Sequence, residues 1–398
     1  MALKVAQVAT LAYSLTPHLR GWFRYLVDHG YEVHTISSPG EQLHMLRVRE
    51  GVAAVHEIPI PRHADPPADA RAFWRFYRLF QRERYDIVHA CSPKAGFLAL
   101  VAARLTGVPV RIFSFRGTPH LTATGLMRAL LWGTEWLTVR LAHRVVCNSA
   151  SLRAELARRG ILAVEQVDVI GQGSSNGVDA TRFRRCVLPG ASPLRRAWNV
   201  AADGRVVGYV GRFARDKGVA DLAAAWSRVR ERDPHAYLVL VGRRDEREPV
   251  AQRVLARLQR DPRVRLCGWC AEPARVYEAL DVLVLPTYRE GFSNVLLEAS
   301  AVGVPVVASN AVGARDVVID GVTGLLVPVR RPDTLAGAIV RLLADPAERA
   351  RMGRAGRERA ERDFQPGTIW AGMLKIYAEA LAATGHAPAR AAVTAAAK

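Results

Sequence analysis

Two segments in the second half of the chain carry side chains whose types and spacing suit a diphosphate. The first, Gly211-Arg212-Phe213-Ala214-Arg215-Asp216-Lys217-Gly218, leaves an apolar run at 205–210. A turn there lets cations project from a strand end, where Arg can fork onto phosphate oxygens and Lys can act as a compact point charge. Lys217 stands out because the chain has five lysines among its 56 basic residues, so 51 are Arg. The second segment, Glu290-Gly291-Phe292-Ser293-Asn294-Val295-Leu296-Leu297-Glu298, follows an apolar run ending at Pro286. It reads as strand, tight turn and helix start. Ser293 or Asn294 can cap that helix, whose first amides and positive dipole end favour an anion such as diphosphate. Glu290 lies before the helix and Glu298 about one turn inside it, so the two carboxylates have different jobs. Taken singly, these are loop and helix-surface charges. Together they fit one crevice, because the strand ends of a doubly wound sheet converge.

Positioning these groups requires parallel sheets covered by helices, and the chain alternates short β-branched runs with longer helical patterns throughout. The runs predict strands at 4–10, 32–38, 55–60, 87–92, 110–115, 144–149 and 167–171. A second set is predicted at 205–210, 236–242, 264–267, 281–286, 304–308 and 324–327. Residues 172–203, rich in Gly, Ser, Pro and Arg, show no sustained periodicity and read as a linker and hinge over a cleft. Helices are expected at 332–344, 346–363 and 366–383, followed by an Ala-rich tail.

At 398 residues the chain exceeds the size of a single ordinary core, which predicts two domains. Half of the residues are hydrophobic and 23% are charged, which excludes a disordered or fibrous protein. No apolar run approaches the ~20 residues needed to span a bilayer, and the strand-like Val5 to Thr10 is preceded by no basic head or cleavage site. A cytoplasmic protein is expected. Five scattered cysteines fit reduced thiols, and the Cys267/Cys270 pair lacks the further ligands of a structural zinc site. The net charge of +19 points to a polyanionic or membrane partner. A nucleic-acid-binding protein is the competing class, but no helix-turn-helix, Cys/His finger or RNA-recognition motif is present.

The chain resembles glycosyltransferase family 4. The resemblance is carried by Gly211-Arg212-Phe213 with Lys217-Gly218, Glu290 and Glu298 with seven residues between, Gly313, and Gly321-Val322-Thr323-Gly324-Leu325-Leu326-Val327. It implies an α/β chain of the GT-B fold, two Rossmann-like doubly wound domains facing across a cleft. The implied division is 1–180 on the acceptor side, 181–365 binding the nucleotide-sugar, 366–385 a helix packing back on the first domain, and 386–398 a disordered tail. It further implies a retaining hexosyltransferase acting without metal or other cofactor. Arg212 and Lys217 then bind the donor diphosphate, the amides from Gly291, Phe292 and Ser293 through Asn294, Val295 and Leu296 hold phosphate, Glu298 takes the ribose hydroxyls, and Glu290 contacts the sugar. The chain contains no Asp-x-Asp, consistent with cations and a helix terminus at the leaving group.

The first half resembles a branch that builds capsular, exopolysaccharide or lipid-linked glycans. The matching pieces are Ile36 to Gly40, Asp86-Ile87-Val88-His89, Ser92 to Gly96, Val110-Arg111-Ile112 leading to Arg116-Gly117, and Gly173 to Asp179. The implied partners are a nucleotide-sugar donor, UDP-linked, and a glycan or lipid-linked acceptor, with a small soluble natural-product acceptor as the alternative. Two departures matter. The first strand-to-helix turn reads Ala12-Tyr13-Ser14-Leu15-Thr16-Pro17 where many relatives have a Gly pair, and Arg116 stands where many have a His facing the donor sugar. Arg116 is therefore a catalytic candidate, with His120 the nearest imidazole. His120 and His89 read equally well as a loop His and a strand-end His satisfied by its neighbours, so neither is assigned as a base.

An anionic membrane surface is a further candidate partner. Arg71 to Arg84 reads as a helix with Phe73, Phe76, Tyr77 and Phe80 on one face and Arg71, Arg75, Arg78 and Arg82 on another. In a doubly wound domain the aromatic face packs on the sheet, which leaves the Arg face as the one to dock.

Overall fold

Among the described residues the strands of both sheets pair in parallel. The computed structural model describes residues 2–16, 18–40, 42–245, 249–270 and 272–386. The chain divides into two units, Met1–Asn176 with the segment from Gly367 onward, and Gly177–Pro366. In the first unit the strands are β1 (Leu3–Leu11), β2 (Tyr31–Ser38), β3 (Ala54–Glu57), β4 (Ile87–Ala90), β5 (Val110–Phe115), β6 (Arg144–Cys147) and β7 (Val167–Asp168). They form one sheet in the order β3-β2-β1-β4-β5-β6-β7. The second unit contains β8 (Arg205–Val210), β9 (Ala236–Val241), β10 (Val264–Cys267), β11 (Val282–Leu285), β12 (Val306–Ser309) and β13 (Gly324–Val327), in the order β10-β9-β8-β11-β12-β13. Each of the thirteen predicted runs contains or overlaps one of these strands. The central strands are buried on both faces, as in β4 and β11, because helices cover both sides of a parallel sheet.

In each sheet the chain winds outward in one direction from the first strand, then returns to pair the fourth strand on the other side. β1 pairs with β4 at Val5–Ile87, and β8 pairs with β11 at Val282–Val207. Loops leaving these two neighbours diverge, and a crevice at the carboxyl ends is the consequence.

The predicted linker is corrected by the structure. Residues from Gly177 belong to the second unit, where Val178, Phe183 and Trp198 enter the core and Pro193–Ala197 is a helix. Arg195 ties this stretch down, donating to the Ala279 and Gly204 carbonyls and pairing with Asp281 at 2.6 Å. A scan for periodicity misses such a segment because its contacts are long-range. The helix Pro366–Ala383 has the predicted bounds, and its Ile369, Met373, Ile376, Tyr377 and Leu381 are buried. Met373, Ile376 and Tyr377 share a core with Val5, Trp22 and Phe23. Of the tail expected to be disordered, all but His386 lies outside the described residues.

The helix Pro66–Glu83 is started by Asp65, whose carboxylate accepts from the Ala68 amide at 3.1 Å, and by proline at its first position. Its aromatic residues do not form one lipid-ready face: Phe76 and Phe80 are buried, Phe73 and Tyr77 half-buried. Arg71, Arg75, Arg78 and Arg82 remain exposed, together with Trp74 at 56%. Among the described residues no helix is long and apolar enough to cross a membrane.

The Tyr377 hydroxyl joins three elements. It accepts from Gln7 Nε2 at 2.7 Å on β1 and lies 2.7 Å from His89 Nδ1 on β4. Tyr377→Phe strands two buried polar groups, so a loss of about 1–3 kcal/mol is expected in urea unfolding. A change within error would show that this junction contributes nothing to stability.

Candidate active site

The site assembles from loops that leave neighbouring strands of the second unit. The loop 211–218 follows β8 and the loop 286–293 follows β11, the pair at the switch point. The Tyr288 amide donates to the Asp216 carbonyl at 2.8 Å, and the Glu290 amide donates to the Val312 carbonyl at 2.9 Å, beyond β12. Gly218 has φ +68°, and a Cβ there would lie 1.9 Å from the Pro286 carbonyl oxygen. Gly313, at φ +77°, passes so close to Glu290 and Gly291 that a Cβ would meet their carbonyl oxygens at 2.7 and 2.5 Å. Only glycine permits both the left-handed backbone and these approaches.

Lys217 and Glu290, expected to act separately, are brought together: Lys217 Nζ donates to Glu290 Oε1 at 2.6 Å, with both side chains largely buried. Arg212 lies on the same strand exit and is paired with Asp245, a residue the sequence reading passed over. Desolvation lowers the Arg212 pKa, but the Asp245 and Asp216 carboxylates outweigh it and the net shift is upward. Asp216, part of the first segment but given no role there, is buried and pairs with Arg289 at 3.0 Å. The signal available for Asp245 was an acid at a strand exit within an Arg-rich stretch, Arg243-Arg244-Asp245.

The helix expected after Glu290 runs from Asn294 to Val302. Ser293 occupies the cap position, but its side chain makes no capping hydrogen bond, which corrects that expectation. The Ser293 carbonyl instead accepts from the Leu297 amide at 3.1 Å. Phe292 and Leu296 point into the core, Phe292 against Phe364 at 5.4 Å, and Val295 packs on it from outside. At these positions the backbone is what a ligand can use, along with the buried turn at Gly291. Glu298 accepts from the Tyr277 hydroxyl at 2.8 Å. Desolvation raises its pKa to about 7, opposed by the Tyr277 bond and by Arg182.

In the first unit, Arg116 leaves β5 and donates from Nη1 to the Ser14 carbonyl at 3.3 Å. His18, another missed residue, has its pKa lowered to about 4 by desolvation and by Arg116. His120 is not a solvent-facing loop residue. It is 1% exposed, with Nδ1 2.6 Å from Thr118 Oγ1 and 2.5 Å from Glu135 Oε2, itself 1% exposed. His120 Nε2 is buried without a partner. His89 is satisfied by Tyr377 and by Ser114 Oγ at 2.7 Å, and desolvation followed by Arg116 lowers its pKa to about 3. Lys94 is likewise committed: it donates to the Pro61 carbonyl at 2.9 Å and pairs with Asp69 at 2.5 Å.

Two Rossmann-like units, each with a strand-end switch point, and a cationic site on the second define a GT-B glycosyltransferase. The chain belongs to glycosyltransferase family 4: residues 16–182 match the family of that description, and residues 204–345 match the one described as glycosyl transferases group 1. The capsular polysaccharide biosynthesis glycosyltransferase CapM of Staphylococcus aureus is 29% identical over 94% of this chain and 96% of its own. A GDP-mannose-dependent alpha-mannosyltransferase of Mycolicibacterium smegmatis is 33% identical over 88% of this chain and 92% of its own. In fold, the chain is similar to Anabaena HepE solved with UDP-glucose, at TM-score 0.75, 20% identity and coverage of 95% of this chain and 100% of that one.

An acid whose folded pKa is raised binds its proton more tightly folded than unfolded, so its contribution to stability is present at low pH and is lost as pH rises through the folded pKa. For Glu298 the window runs from the ordinary 4.5 to about 7. The stability of the wild type relative to Glu298→Gln is expected to fall across that window and to level off above it. Denaturation midpoints at a series of pH values test this, and a constant difference would remove the shift.

Proposed function

We propose that this glycosyltransferase is a retaining hexosyltransferase that moves a sugar from a UDP-linked donor onto a glycan or lipid-linked acceptor in polysaccharide biosynthesis. The observation that carries the reading is the convergence of Arg212, Lys217 and Glu290 with the start of the helix Asn294–Val302 at the β8/β11 switch point. The role of CapM in capsular polysaccharide biosynthesis and the UDP-glucose held by HepE support acceptor and donor class.

In this reading the second unit binds the nucleotide. Glu298 accepts from the ribose hydroxyls, and Arg212, Lys217 and the helix amides take the diphosphate. Lys217 is held ready by Glu290, which also faces the donor sugar. As the bond from the anomeric carbon to the phosphate oxygen breaks, negative charge grows on the diphosphate where these donors already stand. The acceptor oxygen bonds to the same face of that carbon and its proton passes to the departing phosphate, so no protein base is needed. The fixed cations and helix terminus do what a metal would do at the leaving group, and no cofactor is required.

Lys217→Ala and Arg212→Ala are each expected to lower transfer about 100- to 1,000-fold in folded protein, the range for losing one preorganised electrostatic group. Product anomers read by NMR keep the donor configuration, and EDTA leaves the rate unchanged. Near-normal turnover in a folded variant, an inverted product, or EDTA loss restored by manganese would each refute the corresponding part.

We further propose that the first unit docks on the cytoplasmic membrane face to meet a lipid-linked acceptor. Its helix Pro93–Leu105 packs against both Pro66–Glu83, with the arginine face, and Gly125–Leu141. The latter exposes Leu126 at 87% and Leu130 at 52%, with Met127 and Arg128 between them. Exposed apolar side chains beside arginines suit an anionic bilayer, each Arg near the surface contributing about 1 kcal/mol. Wild type should sediment with anionic liposomes at low salt, and the variant with Arg71, Arg75, Arg78 and Arg82 changed to Gln should bind far less. Equal binding by the variant, or none by wild type, would favour a soluble acceptor.

A further inference from the structure

Among the described residues Arg116 is a half-buried cation without an anion. Its Nη1 makes the long bond to the Ser14 carbonyl, while Nε is buried and has no acceptor. Among the described residues His18, His89 and Tyr377 feel its charge, and none of the three is anionic at neutral pH. Among the described residues Arg116 forms no ion pair, although other buried or half-buried arginines do: Arg144 with Asp168 at 2.9 Å, Arg195 with Asp281 at 2.6 Å, Arg289 with Asp216 at 3.0 Å. Arg111, which has no acid, is instead held by the Leu141 and Val108 carbonyls at 2.8 and 2.9 Å. A guanidinium removed from water needs a counter-charge or a full set of acceptors, and Arg116 has neither.

Its place in the sheet says where the missing partner comes from. Arg116 leaves β5, and its contact at Ser14 lies on the loop after β1, so the side chain spans the carboxyl end of β4. This is the switch point of the first unit, where doubly wound sheets bind ligands. We propose that Arg116 seats a carboxylate or phosphate carried by one of the two substrates, with Nε and an Nη forking onto two of its oxygens. The inference rests on the nucleotide-sugar reading above and adds that donor or acceptor is anionic at the group Arg116 holds.

Calorimetry separates the two sources. The donor arm compares UDP-glucuronate with UDP-glucose; the acceptor arm compares farnesyl diphosphate with farnesol. In one arm the anionic ligand is expected to bind the wild type about tenfold or more tightly than its neutral counterpart, the scale of a charge-assisted pair. Arg116→Gln should abolish that ratio and Arg116→Lys should keep part of it. Wild-type ratios near one in both arms overturn the proposal without recourse to any variant, as does a ratio that survives Arg116→Gln in protein with a normal melting transition. UDP alone serves as the reference: failure to bind it would refute the donor reading, while the acceptor arm still decides the case of Arg116.

Discussion

Parallel pairing between the first and fourth strands is the constraint on which the rest of this protein depends. In a parallel sheet every strand delivers its carboxyl end to the same edge. Where the winding direction reverses, the loops from two neighbours part company. In the second unit β8 and β11 are those neighbours, and the loops that follow them carry Lys217 and Glu290. Residues 73 positions apart, Lys217 and Glu290, are thereby placed in one ion pair. The close backbone approaches at Gly218 and Gly313 hold the loops tightly enough for that pair to form while largely buried.

The two units resolve the same electrostatic problem differently. In the second unit the cations Arg212, Lys217 and Arg289 each have a resident carboxylate. A pair of this kind costs desolvation and adds little net stability, but it fixes where the charge sits. In the first unit Arg116 has, among the described residues, only a carbonyl, and His18 and His89 beside it are held neutral by desolvation. Nearby, the Glu135 carboxylate is spent on His120 and Thr118, which keeps both acid and imidazole buried inside the unit.

Hydrophobic periodicity is a local property, and here it was enough for the elements. Strands such as Arg205–Val210 and Gly324–Val327, and the helices Pro332–Ala344, Pro346–Asp363 and Pro366–Ala383, were legible because their burial repeats within a few residues. Residues 177–203 were not, since Arg195 and Trp198 are placed by partners about seventy to ninety positions away. The helix Pro66–Glu83 shows the same limit. Its arginine face was legible from spacing, but which aromatics are buried depends on the sheet beneath.

The sequence by itself determined the strand and helix positions, the strand exits and the residue types that meet a diphosphate, because these follow from short patterns, and family resemblance implied the two doubly wound units. Only the tertiary structure decided the pairings. Lys217 sits on Glu290, Arg212 on Asp245 and Glu298 under Tyr277, while Ser293 does not cap its helix. Each of those outcomes depends on the position of a second element, and a side chain's charge partner, unlike its polarity, is not written at its own position.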